Sequence, residues 1–128
     1  MSILIRAEKV TSEDRQKRYG HPIINFTLTA LRWTSRLQAR GKLRKGEYVD
    51  LEDVPWMMVD VKAARESWLH DDDNPLDACG YIRTYERIDE WLTDHNYQGG
   101  IAGLRGAPIH TLYKILEIAL EEHYATLD

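Results

Sequence analysis

The sequence has a single cysteine among its 128 residues, Cys79, which rules out an internal disulfide and a Cys-rich zinc site and fits a reducing compartment. It has no apolar run approaching the ~18 residues that a membrane-spanning helix needs. The opening MSILIRAEKV carries too short an apolar stretch, and too early an acid, for a secretory signal, so the expected compartment is the cytoplasm. The five histidines, His21, His70, His95, His110 and His123, contain no i, i+4 pair and no HExxH pattern, which disfavours zinc. The glycine-rich GGIAGLRG at residues 99 to 106 follows no strand and lacks the Gly-Lys-Ser/Thr ending of a P-loop. There is no convincing strand pattern, no internal repeat and no low-complexity segment.

What the chain does have is the make-up of an ordinary soluble domain, with 43% apolar and 30% charged residues. This length is enough for one core, so a single domain over residues 1–128 is expected. A net charge of −4 disfavours general DNA binding, which depends on neutralising phosphates. The basic cluster Arg36, Arg40, Lys42, Arg44 and Lys45 reads as a solvated helix end and loop.

Apolar spacing predicts an all-α helical bundle of about five helices. The first spans residues 3 to about 17, with Ile3, Leu4, Ala7 and Val10 at helical spacing, and ends before the Tyr19-Gly20-His21-Pro22 break. The second, about 22 to 40, is apolar on two sides and is expected between two neighbours. The third starts from Asp50 as a candidate N-cap and runs to about Leu69. At about 100° per residue its apolar face holds Val54, Met57, Met58, Val61, Trp68 and Leu69, with Arg65 inside that face and Lys62 at its edge. Asn74-Pro75 signals the start of the fourth helix, about 75 to 94, with Asp77 on the face of Tyr81, Tyr85, Ile88, Trp91 and Leu92. Residues 95 to 128 add a glycine-rich loop and a last helix opened by Pro108.

The segment from Val59 to Tyr81 thus places Lys62, Arg65 and Asp77 where apolar residues are expected, and a buried ion needs a partner. One reading pairs Arg65 with Asp77 across two antiparallel helices. Another makes Lys62 and Arg65 an anion pocket, for phosphate above all because the guanidinium fork matches phosphate oxygens, with Asp77 orienting the arginine or binding a ligand group. Both can hold together. Arg15, Tyr19 and Asn25 fit the second reading, since a Tyr-Gly turn before a helix brings an aromatic face close to free N–H groups. In the plainer alternative Tyr19 packs at a core edge and Asn25 bonds a neighbouring helix. The acids Asp71, Asp72 and Asp73 read as a solvated turn at a helix N-terminus.

DRQKRYGHPIINF, MMVDVKAARESW and NPLDACGYI together resemble a small phage and prophage protein family of unassigned activity. The shared positions are Asp14, Arg15, Tyr19, Gly20, Pro22, Asn25, Phe26, Lys62, Arg65, Asp77, Gly80 and Tyr81, in a family-like core of residues 3–94. The family is distantly similar to MazG-like all-α nucleoside triphosphate pyrophosphohydrolases, which hold magnesium with a Glu-Glu-x-x-Glu helix facing a Glu-x-x-Asp helix. Here Lys62 and Arg65 stand where carboxylates would be. The resemblance therefore implies nucleotide or phosphate recognition more than efficient hydrolysis, with a single Mg2+ on Asp77, helped by Asp60, Asp72 or Asp73, as the metal that could still be held.

The expected function is a phage-type nucleotide- or phosphate-binding helical protein using Arg15, Tyr19, Asn25, Lys62, Arg65, Asp77 and Tyr81, a degenerate relative of the pyrophosphohydrolases or a nucleotide-sequestering protein. The alternative from another class is a non-enzymatic interaction, phage-assembly or host-inhibiting protein in which the Arg-Asp pair is structural. The two-sided second helix and four tryptophans point to a homo-oligomer in either case.

Overall fold

The computed structural model describes residues 19–127. Among them are four α-helices rather than five, one short 3-10 turn and no strand; the stretch of the expected first helix lies outside the described residues.

Helix α1, Pro22–Ala39, starts where the break was expected. The N–H of Ile23 donates to His21 Nδ1 (3.1 Å), and Pro22 occupies the first turn, where no N–H is needed. The helix closes with Gly41 at φ 71°, its N–H on the Gln38 carbonyl and that of Lys42 on the Leu37 carbonyl, the Schellman arrangement that a left-handed residue permits. Ile23, Ile24, Thr27, Ala30 and Thr34 form its buried face. The second apolar side is only partly covered, with Leu28 exposed. Thr34 Oγ1 donates to the Ala30 carbonyl and accepts from the Val49 N–H (2.9 Å), which brings the following loop back along the helix.

Helix α2, Asp53–Glu66, is shorter at both ends than expected. Asp50 contributes its carbonyl, which accepts from the Asp53 N–H, and its side chain makes no cap. Helix α3, Asp73–Asp94, packs along α2 more extensively than any other helix pair does. Its start differs from the expectation: the Asp73 N–H donates to Asp71 Oδ1, while Asn74 is buried and turns back to α2. The far end of α3 closes on Asn96 at φ 67°, with the Tyr97 N–H on the Leu92 carbonyl.

Residues 99 to 104 fold against α3 through Asp89, whose Oδ1 accepts from the Ile101 N–H (2.9 Å). A Cβ on Gly100 would lie 2.0 Å from that oxygen, so the turn requires glycine there. Helix α4, His110–Ala125, then packs on α1. Ile23, Leu51, Ile88, Leu92, Ile101 and Ile115 are the largest fully buried apolar side chains, so the core lies between α1, α4 and the C-terminal half of α3. The C-terminal half of α2 and the first turns of α3 lie outside it, and Asn74 is the one buried residue there.

Candidate functional site

The hairpin of α2 and α3 carries its polar groups in a fixed roll about the helix axes. Lys62 Nζ lies 2.9 Å from Asp77 Oδ2, with the lysine side chain 16% exposed and the aspartate 45% exposed. The expected meeting of Arg65 with Asp77 is therefore corrected: Lys62 is the partner, and Arg65 is exposed. Positions 62 and 65 lie about 60° apart around a helix, so only one of them can face α3 squarely. The turn between the helices sets which one. Glu66 Oε2 accepts from Asn74 Nδ2 (2.8 Å) and from the Asp71 N–H (3.1 Å), and Asn74 Nδ2 also reaches the Leu69 carbonyl. The Asn74 side chain, the Asp71 N–H and His70 hold the Glu66 carboxyl down to about 2.

With α2 in this roll, Val54 and Pro55 are buried, while Met57, Val61, Trp68 and Leu69 of the expected apolar face are exposed. They continue the stripe of Val54, which leaves the core after the first turn of α2 and faces solvent from there on. Tyr81 lies one turn beyond Asp77 and is half-buried. Between them, a Cβ on Gly80 would meet nothing within 4 Å among the described residues, so the backbone of α3 is open there.

The remaining expected residues are placed elsewhere. Arg15 lies outside the described residues. Tyr19 is exposed at the entry to α1, where His21 sits against Trp91 with ring centroids 6.4 Å apart. Trp91 is about four turns along α3 from Asp77, on the order of 20 Å. Tyr19 therefore belongs to the opposite end of α3 from the Lys62–Asp77 pair. Asn25 is exposed one turn into α1 and has no hydrogen bond to that pair; its carbonyl accepts from Thr29 Oγ1. The structure thus brings together Lys62, Asp77 and, one turn away on either helix, Arg65 and Tyr81.

Among the described residues no group of three or more His, Cys, Asp or Glu side chains is arranged to hold a metal ion. Asp77 Oδ2 is engaged by Lys62, which leaves one carboxylate oxygen for a cation. A magnesium ion there would need substrate phosphates and water for its other ligands. The glycine-rich loop is not an open phosphate cradle either: Asp89 takes the Ile101 N–H, and Arg105 Nε and Nη2 grip Glu52 at 2.5 and 2.8 Å.

A second polar cluster, absent from the expectations, lies at the other end of α3. His95 Nδ1 approaches the Trp91 carbonyl (2.6 Å), and Nε2 lies 2.9 Å from both oxygens of Glu122 on α4. Both nitrogens face oxygen acceptors, and only the imidazolium donates from both. Burial lowers the His95 pKa, but the hydrogen bonds to Glu122 and to the Trp91 carbonyl outweigh it and the net shift is upward. The ring also stacks on Trp91, with centroids 3.6 Å apart. His21 beside it moves the other way, down to about 4, through burial and then the charges of Arg87 and His95. Its Nδ1 accepts the Ile23 N–H, a role that only an unprotonated nitrogen can fill. No local motif marks His95, because Glu122 stands 27 residues away.

A family model described as Domain of unknown function (DUF6378) matches residues 2–89. That span contains Lys62, Arg65, Asp77 and Tyr81 and excludes His95, Arg105 and Glu122. No curated protein and no solved structure matches the chain.

Proposed function

Because the chain belongs to the DUF6378 family, described only as a domain of unknown function, we propose its role from its own geometry: the open half of the α2–α3 hairpin binds a phosphate-bearing small molecule, with nucleotides as the first class to test. The observation that carries this reading is the arrangement of cations. Lys62 is held in place by Asp77, and the guanidinium of Arg65, one turn on, has no carboxylate partner among the described residues. Two cations on one helix edge, one positioned and one free, suit a phosphate, and the half-buried ring of Tyr81 supplies a face for a base.

In this reading Asp77 is a positioning residue for Lys62. The pattern shared with small phage proteins, and the distant likeness to MazG-like pyrophosphohydrolases, make nucleotides the natural ligand class and the cytoplasm, of a host if the chain is phage-encoded, the natural setting. With cations in place of the expected carboxylates, binding or sequestration fits better than hydrolysis. Magnesium would enter with the nucleotide and serve to neutralise phosphate charge.

Titration with a panel of nucleotides, with and without magnesium, tests this. Micromolar to millimolar binding is expected, weakened ~10-fold or more by Lys62→Ala and by Arg65→Ala, the loss typical of a charge-assisted hydrogen bond. A wild-type chain that binds none of the panel, or unaltered binding after Arg65→Ala in a folded protein, would sink the proposal. The exposed apolar stripe on α2 favours a second role, association with another protein surface, and the two roles are compatible.

A further inference from the structure

The exposed side chains of α2 fall at heptad spacing. Met57, Val61, Ala64 and Trp68 recur at intervals of four, three and four residues, the d-a-d-a seam of a helix that packs on another helix. Met57 is 47% exposed, Val61 50% and Trp68 75%, and Ala64 is exposed as well. The seam begins at Met57 because Val54, the preceding a position, already lies in the core. Ser67 keeps right-handed helical backbone angles, so Trp68 continues the stripe just past the end of the helix. None of these groups is needed to complete the fold described above, and contiguous apolar side chains of this size on a surface mark a place of contact.

The flanks of the stripe say what covers it. Asp60, at the g position before Val61, and Arg65, at the following e position, are both exposed, and neither side chain has an ion-pair partner among the described residues. When two copies of such a helix pack in parallel about a two-fold axis, g of one helix faces the e position five residues on in the other. That places Asp60 of each copy against Arg65 of the second and forms two opposite-charge pairs. An antiparallel pairing instead sets Asp60 against Asp60 and Arg65 against Arg65. The charges therefore select both the occupant and its direction. We propose that a second copy of this chain docks on the Met57, Val61, Ala64 and Trp68 stripe, α2 against α2 in parallel, with Asp60 and Arg65 paired across the two-fold axis.

The five donors of the Arg65 guanidinium allow it to hold Asp60 of the second copy along one edge and a phosphate along the other, so this interface does not require the anion site to fail or to succeed. A seam of three turns is at the small end of specific interfaces, so the dimer is expected to form in the micromolar range and to depend on concentration.

Sedimentation equilibrium of the full chain from ~1 to ~500 μM should show monomer passing into dimer, a range set by the expected affinity. Val61→Asp should weaken the dimer at least ~10-fold while the helical circular dichroism is unchanged, since the site is exposed. Asp60→Arg should weaken it by several-fold, and the double variant Asp60→Arg/Arg65→Asp should restore it, because the pair is re-formed with its signs exchanged. A chain that stays monomeric throughout overturns the proposal, whatever else covers the stripe. So does a dimer that Asp60→Arg leaves unweakened, the result for antiparallel helices, which only exchange one like-charge pair for another, or an unaltered dimer in Val61→Asp. Asp60 is outside the anion site, so its variant keeps the interface measurement separate from nucleotide binding.

Discussion

Both ends of α3 carry polar and aromatic side chains and use them differently. At the C-terminal end Ile88, Trp91 and Leu92 are buried, Asp89 fixes the next turn, and His95 has acceptors on both ring nitrogens. At the N-terminal end Asn74 alone is buried, Asp77 is half in solvent, Gly80 has open space beside it, and the facing helix exposes its apolar stripe. One end is committed to holding the fold. The other retains groups with no internal use, and that is where binding is to be sought.

The largest effect that would break this contrast comes from the closed end. Ile88→Ala should cost ~2–5 kcal/mol, from lost burial and an unfilled cavity, measured by urea denaturation. At the open end Lys62→Met/Asp77→Leu should change stability by less than ~1 kcal/mol, because the pair is partly solvated, while abolishing nucleotide binding. A loss as large as that of Ile88→Ala would make the pair structural and remove the distinction.

A third effect, intermediate in size, is one of pH. The folded-state pKa of His21 is lowered, so the unfolded chain binds the extra proton between about 4 and 6.5, and stability rises with pH through that window. The His95 pKa is raised, so its contribution is complete below 6.5 and is lost as pH climbs through the folded value. Together they place a stability optimum near 6.5. In thermal melts His21→Asn, which keeps a capping oxygen, should flatten the acidic slope, and His95→Gln should flatten the alkaline one. A last expected change is that of Gly80→Ala, a gain of up to ~1 kcal/mol from helix propensity at a site with room for the methyl group. If that variant is more stable but binds nucleotide less well, the ligand approaches the backbone there.

The helices were legible because their limits are written locally, in His21-Pro22, Gly41 and the 71 to 75 turn. The roll of α2 was not. Val54, Val61 and Trp68 share one stripe in the sequence, and the structure buries the first and exposes the other two, because the core reaches only the first turn of α2; beyond it the Glu66 and Asn74 hydrogen bonds turn Lys62 toward α3. Which of two cations three residues apart meets Asp77 depends on that roll. The site was legible as a set of residue types on one hairpin, without its pairing, and Tyr19 and Asn25 were grouped with it although their helix begins at the other end of α3. His95 and Glu122 carry no joint signal, because tertiary packing alone brings them together.

Asp89 has one more implication. It is the last residue of the family match and also the group that fastens the glycine-rich turn, through which α4 brings Leu112, Ile115 and Ala119 to the core. The boundary of the shared module thus coincides with the mooring point of a removable wall. A relative ending at the equivalent of residue 89 would have to seal that side of α1 with a different apolar element, and comparing what each relative places there would show how one hairpin is kept while its housing is exchanged.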